Sequence, residues 1–126
     1  MQNLNVAGLI IWTEASQFAS MRSFYSDILE LPIRSDRKEL INFELNDFRL
    51  TIAVHSQVKS SSKDPLRIMI NFGTTQIHKT FNTFKHKGVE FLRNPEQESW
   101  GGWVATFADP DGNIIQLLEH PNSIKN

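Results

Sequence analysis

Ser99-Trp-Gly-Gly-Trp-Val-Ala-Thr-Phe-Ala-Asp-Pro-Asp-Gly-Asn-Ile-Ile-Gln-Leu-Leu-Glu-His120 reads as a β-hairpin. Trp103 to Phe107 alternate large and small residues rich in β-formers, and Ile114 to Leu118 form a second strand. Between them Pro110 fixes φ, Asp111 tolerates turn geometry and Gly112 can take positive φ.

Upstream of this hairpin the chain states one pattern twice. Val6 to Thr13 is expected to be a buried strand, followed by a helix from Ser16, its expected N-cap, to about Leu29. Phe18, Met21, Tyr25, Ile28 and Leu29 give that helix one apolar face, and Pro32 is expected to close it. Ile33 to Asp36, Leu40 to Leu45 and Phe48 to His55 follow as strands, with Asn46-Asp47 turning the last pair. A polar stretch at about 58–65 separates this from a second round. There Leu66 to Phe72 is a strand, and Thr75 to Lys87 a helix ending at Gly88 in a left-handed cap. Val89 to Leu92 is a strand, and Asn94 to Glu98 a loop into the hairpin. The helices match at an offset of about 60 residues, pairing Met21 with Phe81 and Phe24 with Phe84. The last strands match at about 65, so Thr51 corresponds to Gln116 and His55 to His120. The expected organisation is α+β: two tandem βαβββ modules, about 4–57 and 66–121, in a single domain spanning 1–126.

Bulk composition narrows the function classes. In 126 residues, 40% are hydrophobic and 21% charged, ordinary values for a globular domain able to bury a core. A net charge of −1 gives no electrostatic case for nucleic acid or an anionic membrane. With no cysteine there is no disulfide framework and no thiolate nucleophile. Met1-Gln-Asn-Leu-Asn5 lacks the features of a signal peptide, and no apolar run nears the roughly 20 residues of a membrane span, so a cytoplasmic location is expected.

Phe107-Ala-Asp-Pro-Asp-Gly-Asn113 with its apolar strand resembles the end of a vicinal-oxygen-chelate domain, the superfamily of glyoxalases, extradiol dioxygenases and bleomycin-resistance proteins. Ser23-Phe-Tyr-Ser-Asp-Ile-Leu-Glu-Leu-Pro32 resembles that superfamily's first helix exit, Phe-Tyr-x-x-x-Leu-Gly-Leu-Pro, and Lys87-Gly-Val-Glu-Phe-Leu92 its second. The resemblance implies two half-barrel sheets with helices outside and a cleft within. It also implies one divalent metal, held by His and Glu from the first and last strand of each module.

Those positions fall here at Gly8 or Ile10, Thr51, Met69 and Gln116, none of which supplies an imidazole or carboxylate. No metal and no other cofactor is therefore expected, which weakens an enzymatic reading. His78 and His86, off the apolar face of the second helix, are expected to be solvated. They lie roughly 12 Å apart by helix rise, too far to share a metal. His55 and His120 share strand parity with Thr51 and Gln116. Trp12 has the parity of Ile10, and Asn71 that of Met69. Trp100 resembles the Pro-Trp-Gly loop of bleomycin-resistance-type members, whereas Trp103 is expected in the core.

The expected function is binding of a planar, partly apolar small molecule between aromatic walls, through Trp12, Thr51, His55, Met69, Asn71, Trp100 and Gln116. The alternatives are a metal-dependent lyase or dioxygenase of the same superfamily, and a protein-interaction module on its fold. The resemblance also implies a homodimer.

Overall fold

The computed structural model describes residues 3–121. Contacts divide the chain into Met1–Ser60 and Ser61–Asn126. In the first unit β1 (Gly8–Thr13) leads into a 3-10 turn (Ala15–Gln17), the helix α1 (Phe18–Ser23) and a π turn (Phe24–Ile28), then β2 (Ile33–Arg37), β3 (Leu40–Leu45) and β4 (Phe48–Val54). The second unit repeats this with β5 (Ile70–Gly73), α2 (Ile77–His86), β6 (Phe91–Gln97), β7 (Trp103–Ala108) and β8 (Ile114–Glu119). Each unit carries one four-stranded sheet, ordered β1-β4-β3-β2 and β5-β8-β7-β6. The first and last strands of each unit pair in parallel and the others antiparallel. This is an α+β fold of two βαβββ modules. Among the described residues no helix is long and apolar enough to cross a membrane.

Alternation along the strands decides which face each helix covers. In the first module Ile41, Phe43, Leu50 and Ile52 are buried, as are Met21, Phe24, Tyr25 and Leu29 of the helical segment. The Tyr25 and Phe43 rings lie 6.4 Å apart. In the second module Phe81 meets Phe91 at 4.6 Å and Phe84 meets Phe107 at 5.7 Å, edge to face, over buried Ile115 and Leu117. Each large apolar side chain so buried contributes roughly 1.5–3 kcal/mol. The opposite faces hold the candidate site.

Several local expectations are corrected. β1 begins at Gly8 rather than Val6, and only one of its faces is covered, with Ile10 and Trp12 exposed on the other. Ser16 does not cap the first helix, because the 3-10 turn starts one residue earlier with Glu14 as its N-cap. The Glu14 carboxylate accepts the Ser60 backbone N–H at 2.9 Å, which with the Ser16 side chain holds its pKa below the ordinary value. Pro32 does not close the helix either. The Leu29 N–H reaches back five residues to the Phe24 carbonyl, and Glu30 turns the chain out with φ 55°. Leu66 and Ile68 lie before β5, exposed and outside any strand, so that strand starts later than their apolar character suggests. β6 runs on through Asn94, Pro95 and Glu96 to Gln97. It is an edge strand with register shifts beside Arg93, and such an edge tolerates a proline. Gly88 takes φ 94° at the end of α2, the left-handed cap expected of it.

The β7–β8 turn is organised by Asp109, which is 5% exposed. Its Oδ1 accepts the backbone N–H of Asp111 and of Asn113, both at 3.0 Å, and its Oδ2 accepts Asn113 Nδ2 at 2.9 Å. Gly112, at φ 84°, donates its N–H to the Asp109 carbonyl. Removing a buried acceptor with several donors strands those donors away from water. Asp109→Ala is therefore expected to destabilise the protein by about 3 kcal/mol in urea unfolding. Asp109→Asn, which keeps an acceptor at Oδ1, should cost clearly less.

Candidate functional site

Parallel pairing of first to last strand sets one row of residues across the open face of each sheet. In the first module Ile10 lies opposite Thr51, Thr51 opposite Asn42, and Asn42 opposite Ser35. In the second, Asn71 lies opposite Gln116, Gln116 opposite Thr106, and Thr106 opposite Arg93. Thr51 and Gln116 hold the same place in their respective sheets.

The side chains of these rows bond to one another. Thr51 Oγ1 donates a short hydrogen bond to Asn42 Oδ1, and Asn42 Nδ2 donates to Ser35 Oγ at 2.7 Å. Gln116 Nε2 donates to Asn71 Oδ1 at 3.1 Å. Arg93 is gripped by Glu96 at 2.6 Å and Glu98 at 3.2 Å, which hold its guanidinium pKa above the ordinary value.

Register also decides between Gly8 and Ile10. A Cβ on Gly8 would meet the Arg49 carbonyl oxygen at 2.2 Å, so no side chain fits there without moving the β1–β4 backbone. Ile10 is the residue beside Thr51. Taken position by position, Ile10 offers an alkyl group, the Thr51 hydroxyl is committed to Asn42, and the Gln116 amide is bonded to Asn71. By the same register the second-module position is Asn71, beside Gln116, and not Met69, which falls just short of β5. This donor set does not fit a catalytic divalent metal. Among the described residues no three His, Asp or Glu side chains gather as a possible metal group.

Other proposed residues form two aromatic pairs. Trp12, 43% exposed on the open face of β1, meets the His55 ring edge-on at 5.2 Å. His55 Nδ1 accepts the Gln57 backbone N–H at 3.0 Å, leaving the proton of the neutral ring on Nε2. Trp100 lies 6.2 Å from His120, half exposed, its ring over Gly102, where a Cβ would fall 2.1 Å from it. Trp103 faces the helix side but is half-buried rather than in the core, and its ring meets exposed His78 at 4.8 Å. His78 is thus exposed but not merely solvated. The structure brings Trp12 to His55 and Asn71 to Gln116, while Thr51 joins neither pair.

Residues not anticipated from sequence complete the first module's open face. A trough of about 630 Å³ is lined by Gly8, Ile10, Leu40, Asn42, Glu44, Asp47, Arg49 and Thr51, among others. Asn42 and Glu44 alternate with buried Ile41 and Phe43, the period-two signal that marks β3 as having a polar open face.

The glyoxalase-like domain family matches residues 8–121. The Bacillus subtilis protein YetH is 38% identical over 71 residues, which span 56% of this chain and 57% of YetH. YraH of the same organism is 25% identical over 116 residues, 82% of this chain and 91% of YraH. A solved structure described as a glyoxalase/bleomycin resistance protein/dioxygenase from Nocardioides superposes with a TM-score of 0.78 at 16% identity, covering 99% of this chain and 89% of the other. At that identity the last is a likeness of fold. Family match, strand order and sheet register agree: the chain belongs to the glyoxalase-like domain family of the vicinal-oxygen-chelate superfamily.

Proposed function

We propose that this protein binds a planar, partly apolar small molecule on its open sheet faces without a metal, in the manner of a bleomycin-resistance-like member of the superfamily. One observation supports the reading: the first- and last-strand positions are filled by Ile10, Thr51, Asn71 and Gln116, and the polar ones are bonded to neutral neighbours. Such a face keeps hydrogen-bonding capacity and sheds charge, which suits a weakly charged flat ligand. On the first module's face Trp12 supplies stacking surface and His55 a directional contact; on the second's, Trp100 supplies stacking surface and Asn71 and Gln116 directional contacts. We also propose a homodimer, because Leu4, Val6, Ile10 and Trp12 leave large apolar side chains exposed in the first module.

A panel of aromatic metabolites and drugs, read by tryptophan fluorescence and calorimetry, tests the binding function. A cognate ligand should lose at least about tenfold in affinity in Trp12→Ala, equivalent to 1.4 kcal/mol. Binders whose affinity is unchanged in both Trp12→Ala and Trp100→Ala would remove the aromatic walls from the account. Light scattering at micromolar concentration should give twice the mass of one chain; a monomer mass there contradicts the dimer.

A further inference from the structure

Arg49 is the cation among the residues that line the trough of the first module, and its hydrogen-bonding capacity is unspent. It stands on the open face of β4, opposite Gly8 of β1 on one side and Glu44 of β3 on the other. Its backbone N–H donates to the Ala7 carbonyl at 3.3 Å, which holds the start of β1 beside it. Its guanidinium turns Nε toward Glu44 Oε2, but 3.7 Å is an attraction between charges and not a hydrogen bond. Glu44 is drawn from its other side to Arg34, at 3.5 Å. Two guanidinium groups thus share one carboxylate, and the trio keeps one positive charge. Among the described residues no acceptor takes a hydrogen bond from the Arg49 side chain, which is 45% exposed.

With Nε turned to Glu44, the Nη1–Nη2 edge is left for another group. That edge presents two parallel N–H donors, the geometry that fits a carboxylate. On the β1 side no side chain fills the space beside Arg49, because a Cβ on Gly8 would fall 2.2 Å from the Arg49 carbonyl oxygen. Ile10, two residues along the same face and 51% exposed, supplies apolar surface next to that bare backbone. We propose that the trough takes a planar aromatic acid. Its carboxylate accepts two hydrogen bonds from the Nη1–Nη2 edge of Arg49, and its ring lies on the backbone at Gly8 and on the Ile10 side chain. Glu44 is a positioning residue that decides which edge of the guanidinium meets the ligand. One carboxylate suits the trough and a second does not, since Glu44 and Asp47 also line it and would repel further negative charge. This rests on the reading that an open face binds a planar small molecule, and it adds the ligand's chemical class and the residue that selects it.

The probes are 2-naphthoate and its neutral amide, 2-naphthamide, which share one ring system and differ in the charge of the group that meets Arg49. Near neutral pH the acid is ionised. Calorimetry gives each affinity, and two-dimensional NMR follows the backbone amides of Gly8 and Arg49. Naphthoate is expected to bind at least about tenfold more tightly than naphthamide, as hydrogen bonds to a charged group are stronger than those to a neutral one. It should also shift both amides. Arg49→Gln should bring naphthoate down to the affinity of naphthamide while leaving naphthamide unchanged, and that unchanged value shows the face of the variant to be intact. Equal affinity of the wild-type protein for acid and amide, naphthoate binding that Arg49→Gln leaves unchanged, or shifts confined to the second module would each overturn the assignment. If neither probe binds while other planar molecules still bind against Trp12, this proposal fails and the broader binding function stands. If no planar molecule binds at all, both fail.

Discussion

Parallel pairing of the first strand to the last is the constraint on which each module depends. A β-α-β-β-β chain cannot make that pair locally, since the helix and two further strands intervene before β4 returns to β1 and β8 to β5. Once made, it fixes the register and sets Ile10 beside Thr51 and Asn71 beside Gln116. Shifting either strand by one residue would turn every side chain to the other face. The buried faces do not allow this: Leu50 and Ile52 in one module, and Ile115 and Leu117 in the other, are nearly inaccessible to solvent.

The chemistry of the open faces follows from what that register delivers. In a metal-binding member, charged ligands at these positions are stabilised by the ion they share. Here Thr51, Asn42 and Ser35 form a neutral chain of hydrogen bonds, and Gln116 and Asn71 form another. Neutral donors and acceptors satisfy one another without an ion and leave these rows uncharged. The charged groups beside these rows are drawn to one another, Arg93 with Glu96 and Glu98, and Glu44 with Arg34 and Arg49.

Much of the fold was legible because period-two and helical alternation report burial directly. β3 was placed at Leu40–Leu45 from its pattern alone, and β4, β7 and β8 to within a residue at one end. The Asp109 turn and the Gly88 cap carry residue types that few other conformations require. The misses share a cause. Leu66 and Ile68 are apolar without being buried, so hydrophobicity alone extended β5 too far. Ser16 had the chemistry of a cap but stands inside a turn begun at Glu14. The choice between Gly8 and Ile10 needed the cross-strand register, and Gly8 is excluded by a carbonyl of β4 that local sequence does not place. Asn42 and Glu44 stand on an inner strand, and only the cross-strand register brings them beside Thr51 and Arg49, although their alternation with Ile41 and Phe43 is visible in the chain.

The central claim is that this glyoxalase-like chain has exchanged a metal-ligand set for neutral hydrogen bonding. Elemental analysis of the purified, dialysed protein tests it most directly. The account predicts Ni, Zn, Mn and Fe far below one equivalent per chain, with no uptake when each is supplied in excess and the protein is dialysed again. About one equivalent of any of them retained per chain would contradict it.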